Sequence, residues 1–166
     1  MPNIFINGKF FGQPTTGAQR FATEIVLALD SLLSKNGRFS SHEFVLVVPR
    51  GVGKNVPSLK QIHVVELVGF TSHLWEQVTL PVFVRNAFLI NLSGSAPMLK
   101  RKQLFTIFDA AIFDFPQAYS RAFLLWYRFL FLVQARFAHS LVTISMYSRD
   151  RLCEHLAVET DRFGVD

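Results

Sequence analysis

The stretch that most constrains this chain runs from Gln103 to Arg149, where two short apolar runs flank one long helix-forming segment. Gln103-Leu-Phe-Thr-Ile-Phe-Asp109 is rich in β-branched and aromatic residues and stops on a carboxylate, the signature of a buried parallel strand that reaches a cleft. Phe123 to Phe137 is long and apolar enough for a helix, and Leu141-Val-Thr-Ile-Ser145 reads as a second buried strand ending on a hydroxyl. Strand, crossover helix and strand make one βαβ unit, which places both strand ends on the same edge of the sheet. Asp109 and Ser145 are therefore predicted to face one crevice, and in open α/β sheets that crevice is where ligands bind.

Further strands are expected at Ile4–Asn7, Phe44–Val48, Ile62–Leu67 and Phe88–Leu92. Six strands alternating with helices predict the α/β class: a doubly wound, mainly parallel, Rossmann-like sheet with helices on both faces. With no internal repeat or linker, residues 1–166 form a single domain. Thr16 and Gln19 have capping-box spacing at the start of a helix. Ala18, Phe21, Ala22, Ile25, Val26 and Leu29 then recur on its apolar face, with Arg20, Glu24 and Asp30 on the other, until Asn36-Gly37 stops it. A short helix carries Leu74–Gln77 to Pro81, and Ser145 is placed to cap a helix from Met146 to about Leu156. The chain then runs through Asp161 to Asp166 without a closing element.

Half of the residues are hydrophobic, which excludes a disordered class. The 18 Phe call for a large buried surface, a lipid-facing surface or a missing partner. A net charge of +5 favours anionic partners. Nucleic acid is a poor fit among these, because basic and aromatic residues do not interleave on one element. One cysteine, Cys153, implies a reducing compartment. With no apolar run of spanning length and no leader pattern, the expected location is cytoplasmic, with peripheral membrane contact left open. On the helix after Ser120, Arg121, Arg128, Arg136 and His139 share one arc, which reads either as a largely buried helix or as one lying on lipid.

The first loop delivers a helix N-terminus at Thr16-Gly17, whose free N–H groups and dipole suit an anion, with Arg20 one turn in. The competing reading is an ordinary turn with a solvated arginine. Gly8, Gly12 and Gly17 do not make a dinucleotide fingerprint, and Gly51-Val-Gly-Lys54 lacks the remaining residues of a phosphate loop. Asp109 suits a general acid, a base or an acceptor for a sugar hydroxyl; its alternative role is a helix or turn cap. Asp114, next to Phe115-Pro116, reads as a turn residue. The five histidines have no metal-ligand spacing, so no metal is expected, and Cys153 reads as a core or surface thiol.

Four segments in order, Thr16–Ile25, His73–Gln77 with Leu80-Pro81, Thr106–Asp109 with Phe113–Pro116, and Val142–Arg149, resemble the N-terminal half of family-4 retaining glycosyltransferases of GT-B architecture. The likeness is strongest to the bacterial mannosyl- and glucosyltransferases of polysaccharide and lipopolysaccharide assembly. The resemblance implies a two-domain enzyme whose acceptor side is this chain and whose donor-binding domain lies outside it. The complete enzyme would use a GDP- or UDP-sugar; this chain alone would bind no cofactor and would be inactive. By the same resemblance, Thr16, Gly17 and Arg20 would approach the donor diphosphate, Asp109 would be catalytic, and Ser145, Ser148 and Arg149 would line the cleft. The partner would be a sugar or lipid-linked sugar acceptor at the cytoplasmic membrane face. Two positions depart from the pattern, with Phe108 and Phe115 standing where the family has histidine. Without the second domain, exposed apolar surface is expected to drive self-association or lipid contact. The alternative is a truncated or diverged non-enzymatic α/β module that binds an anionic ligand or a membrane surface.

Overall fold

A computed structural model describes residues 3–35 and 41–165. The expected helix stop at Asn36-Gly37 and the final Asp166 lie outside the described residues. Seven short strands are formed: β1 (Asn3–Asn7), β2 (Glu43–Pro49), β3 (His63–Leu67), β4 (Phe88–Asn91), β5 (Gln103–Thr106), β6 (Ser140–Thr143) and β7 (Phe163–Val165). They make one sheet in the order β3-β2-β1-β4-β5-β6-β7, every pair parallel. The expected α/β, doubly wound sheet is therefore what the chain forms. The topological switch falls between β1 and β4, from which the chain builds outwards in both directions.

Side-chain alternation along β1 divides the core. Ile4 and Ile6 point to the face covered by α1 (Gly17–Lys35), joining Leu46, Val48, Ala22 and Val26. Phe5 points to the opposite face with Val45, Val47 and Leu89, beneath a helical segment that runs through α2 (Ser72–Leu74), a π-helical turn (Trp75–Thr79) and α3 (Leu80–Val84). The far half of the sheet carries Phe105, Ile107 and Leu141 under α5 (Arg121–Phe137) and α6 (Met146–Leu156), with the short α4 (Ala111–Asp114) at its edge. α6 begins at its expected cap, Ser145 Oγ accepting from Ser148 N–H at 3.0 Å, and α5 begins at Ser120, whose Oγ accepts from Phe123 N–H at 3.3 Å.

Several expectations need correction. The strand from Gln103 leaves the ladder after Thr106, short of Asp109, and the strand from Ser140 ends at Thr143, short of Ser145. The final segment is not open: Phe163–Val165 pairs with β6 as a seventh strand. Asp30, expected on the solvated face of α1, is buried. Its carboxylate accepts from the backbone N–H groups of Lys60, Gln61 and Ile62 at 2.9, 2.7 and 2.9 Å, tying α1 to the strand entering from the β2–β3 loop. Burial pushes its pKa up, but those donors and the Lys60 charge outweigh burial and hold it below the ordinary value.

Beneath the switch point lies a buried polar network. The Glu76 carboxylate, in the π-helical turn, accepts from Asn7 Nδ2 at 2.8 Å, Lys9 Nζ at 2.9 Å and Ser95 Oγ at 2.7 Å. From Asn7 the bonds continue through Asn91 (3.0 Å) to Gln103 (2.9 Å) and Gln134 (2.8 Å) in α5. The neighbouring Gln77 holds the 96–98 segment, donating to Ala96 O at 2.9 Å and accepting from Met98 N–H at 2.8 Å. Glu76→Ala leaves the Lys9 ammonium buried without its counter-charge, so its expected cost in urea denaturation is about 3–5 kcal/mol. Val82→Ala, on the exposed side of the same helical segment, is expected to stay within about 0.5 kcal/mol. Equal losses from the two variants would mean that the network contributes nothing beyond helix propensity.

Candidate functional site

The ends of β1, β4, β5 and β6 reach one edge of the sheet, and a cleft of about 930 Å³ opens there. One wall is the N-terminus of α1 at Thr16-Gly17, and the floor is Ser93-Gly94 after β4 and Phe108-Asp109 after β5. The other wall is the first half of α5, presenting Phe123 and Tyr127. Two glycines let the backbone make these turns. Gly8 donates its N–H to Val47 O at 2.8 Å, and a Cβ there would sit 2.6 Å from Val48 Cγ1, so no side chain fits as the chain leaves β1. Gly94 has φ +76°, in the left-handed region that glycine occupies at least cost.

The cleft is aromatic rather than charged. Phe108 meets Phe21 of α1 edge to face at 5.4 Å, while Tyr119 stacks on Phe123 at 5.2 Å and Phe123 meets Tyr127 at 4.3 Å. Burial pushes the Tyr127 phenol up, and the negative charge of Glu76 adds to the shift. Tyr127 therefore stays a neutral hydroxyl at physiological pH, able to donate or accept one hydrogen bond. Asp109 is the one carboxylate in the lining, and it is exposed. Its Oδ1 accepts from the N–H of Ala111, the first residue of α4, at 2.9 Å.

Of the residues singled out from sequence, Thr16, Gly17 and Asp109 come together here. Gln19 and Phe108 line it as well, whereas Arg20, Ser145, Ser148 and Arg149 do not. Gln19 Oε1 accepts from Thr16 N–H at 3.2 Å, one half of the expected capping box, and the Thr16 hydroxyl turns to that same oxygen. Arg20 is exposed and borders a neighbouring groove with Phe10, Gln13, Glu24 and Asn55. Ile144, not Ser145, lines the cleft after β6. The Ser145 and Ser148 hydroxyls, 3.0 Å apart, are engaged at the start of α6, and Arg149 pairs with Asp150 at 3.0 Å. The Gly51–Lys54 loop is an anion nest filled from within: Gly51 and Gly53 N–H donate to the Glu66 carboxylate at 3.0 and 2.9 Å. These two bonds hold Glu66 below the ordinary carboxylate range. Among the described residues no group of three or more His, Cys, Asp or Glu side chains could hold a metal ion.

The basic arc of α5 is divided. Arg121 and Arg136 are exposed, whereas Arg128 donates to Ile112 O at 2.8 Å, lies over the Phe113 ring, and holds α4 against the helix. Cys153 is buried, and burial pushes its thiol up. Asp114 is more than a turn residue. Its carboxylate pairs with Arg151 and with His155 Nε2 at 2.8 Å, the imidazole stacking on Phe113 at 4.9 Å. No helix among the described residues is long and apolar enough to cross a membrane.

The chain matches no known family profile and no curated protein. Among solved structures, its fold is similar to that of the Anabaena protein HepE in complex with UDP, at a TM-score of 0.54 and 14% sequence identity. The match covers 99% of this chain and 43% of HepE, so the chain spans less than half the length of that protein. At this identity the likeness establishes the fold.

The Arg151 guanidinium, then His155, holds the Asp114 carboxyl at about 2, against an ordinary value of 3.8. A depressed carboxylate contributes stability above its unfolded pKa and loses it as pH falls through the folded one. The stability gap between the protein and Asp114→Asn is therefore expected to be full above pH 3.8 and to close as the pH approaches 2. Urea denaturation at pH 5 and pH 2.5 reads this directly, and a gap unchanged between them would show that the pair does not set Asp114.

Proposed function

We propose that this chain is the acceptor-side domain of a nucleotide-sugar-dependent glycosyltransferase, transferring a hexose such as mannose with retention of configuration during polysaccharide or lipopolysaccharide assembly. The observation that carries this reading is the cleft itself. It lies at the topological switch point, where doubly wound sheets take their ligands, and joins a helix N-terminus to a carboxylate on an aromatic floor. The four sequence segments that resemble the family support it, as does the fold shared with a protein solved with UDP.

On this reading a second, donor-binding domain closes over the cleft, and a GDP- or UDP-sugar lies between the two. The Thr16-Gly17 helix N-terminus faces the donor diphosphate, where its free N–H groups and dipole stabilise negative charge. Asp109 Oδ2 accepts the hydroxyl proton of the incoming acceptor and aligns it for attack. Arg20 borders the adjacent groove and would reach the diphosphate only by swinging across α1. Ser145, Ser148 and Arg149 fix the start of α6, and with it the Ile144 side of the cleft.

One observation favours the alternative of a diverged binding module. Phe108 stands where the family has histidine, and a phenyl ring neither donates a hydrogen bond nor shuttles a proton. The deciding experiment uses the full-length product of the gene, incubated with radiolabelled UDP- and GDP-hexoses and an acceptor extract from the source cells. Labelled product is expected, with kcat/KM falling about 10²–10⁴-fold in Asp109→Asn. Absence of transfer from every donor, in a protein that still binds nucleotide, would replace the enzyme by the binding module.

A further inference from the structure

β3 is an outermost strand of the sheet and is hydrogen-bonded into it on one side only, to β2. Sheet edges are ordinarily blunted by lysine, proline, a bulge or extreme shortness. The far edge follows that rule, since β7 has three residues and one is glycine. β3 does not: it has five residues, His-Val-Val-Glu-Leu, with neither lysine nor proline. Its one carboxylate, Glu66, is engaged by the Gly51 and Gly53 N–H groups at 3.0 and 2.9 Å and does not guard the edge. Beside the end of β3, under the outer side of α3 and the π-helical turn, runs a groove of about 620 Å³. Val68, Phe70, Val78, Val82 and Phe83 bound it, and Arg85 is the charged residue in its lining. Val82, Val68 and Phe70 are 67%, 64% and 57% exposed. Phe70 N–H donates to Thr79 Oγ1 at 3.1 Å, so the loop carrying these side chains is already held in place.

We propose that this edge is where two copies of the chain associate, about a two-fold axis perpendicular to the sheet. β3 pairs antiparallel with β3 of the copy, and the outer sides of the two helical segments close over the join. A two-fold contact uses the same patch twice and leaves no strand edge open at the junction. The area fits. Taking about 200 Å² for a phenylalanine and about 100 Å² for a valine side chain, the five groove residues and Val64 leave roughly 400 Å² of apolar surface in water per copy. A standard interface takes about 800 Å² from each partner, a little over half of it apolar. The charge fits as well. Copies of net charge +5 repel one another, but here Glu43 pairs with His63 at 3.6 Å and Glu66 lies in the field of Arg50, so the edge itself is balanced. A lipid surface is the poorer match, because the exposed Arg101, Lys102, Arg121 and Arg136 that would meet its head groups lie at the start of β5 and on α5, over the other half of the sheet. None of the groove residues lines the cleft, so this contact is separate from any that a missing domain would leave bare, and it stands whether or not the chain serves a transferase.

The test is the mass of the chain in solution. In sedimentation equilibrium the 166-residue chain is expected to rise from 18.9 kDa towards twice that value with concentration, and amide hydrogen exchange over His63–Leu67 to slow across the same range. Val64→Lys on the open strand and Val82→Lys on the helix are each expected to raise the dissociation constant about tenfold or more, with far-UV circular dichroism unchanged. Leu125→Lys, at an exposed position of α5, is expected to leave that constant unchanged. The small effect of Val82→Ala in urea refers to the dissociated chain, in which Val82 stays in water. A mass of 18.9 kDa at every concentration overturns the inference, and if that monomer floats with phosphatidylglycerol vesicles while Val82→Lys does not, the surface belongs to lipid. A dimer broken by Leu125→Lys but by neither Val64→Lys nor Val82→Lys overturns it too and moves the interface to α5.

Discussion

The Glu76 carboxylate is the interaction on which the rest of this structure depends. It is buried on a π-helical turn and takes hydrogen bonds from three different segments: the end of β1, the Lys9 loop and the Ser95 loop. A lone carboxylate in that position would be expensive, since an ion leaves water at a cost of several kcal/mol unless its lone pairs are filled. Here they are filled by residues whose own positions define the switch point. The network therefore converts a desolvation penalty into a geometric requirement: the helical segment over β1 and β4 can sit in only one register. The floor of the cleft, Ser93-Gly94, hangs from the same set of bonds.

The π-helical turn belongs to the same account. Such turns insert one extra residue into a helix and re-aim the side chains around it. Trp75 is turned inward to donate to Leu67 O at the end of β3, Glu76 faces the polar network, and Gln77 clasps the 96–98 segment. Three consecutive side chains thus tie one helix to three parts of the sheet edge. This gives the His73–Gln77 segment a physical role independent of any reaction.

The sheet was legible in the sequence because runs such as Phe44–Val48 are buried on both faces and leave no solvent-facing alternation to misread. The strand ends were overextended for a related reason. Hydrophobic pattern reports burial, not pairing, and Ile107 is fully buried with its N–H bonded to Val142 O although β5 has ended. β7 has only three residues, one of them glycine, too weak a signal beside a helix. Asp30 and Glu76 were invisible as buried charges because the groups that satisfy them lie 19 to 69 residues away in the chain. The order of strands and helices put Asp109 at the edge crevice, with Ser145 beside it, while Thr16 and Gly17 were joined to that crevice only through the family resemblance. The α5 wall could not be placed: Phe123 and Tyr127 read as core or lipid-facing positions, and only the packing of α5 over the sheet edge turns them into the lining of a cleft.

Phe108 shows how far that lining departs from a polar catalytic pocket. Its ring packs edge to face with Phe21, its carbonyl accepts from Thr143 Oγ1 at 3.1 Å, and Gly94 passes beneath it with only ordinary van der Waals space for a Cβ. A histidine there would keep the aromatic edge contact but place two ring nitrogens among phenyl groups, one or both needing a partner that the surrounding aromatic side chains do not supply. The phenyl ring removes that need and keeps the floor beside the exposed Asp109 apolar. The aromatic surface continues past Phe123 and Tyr127, which line both the cleft and the neighbouring hollow bounded by His73 and Trp126.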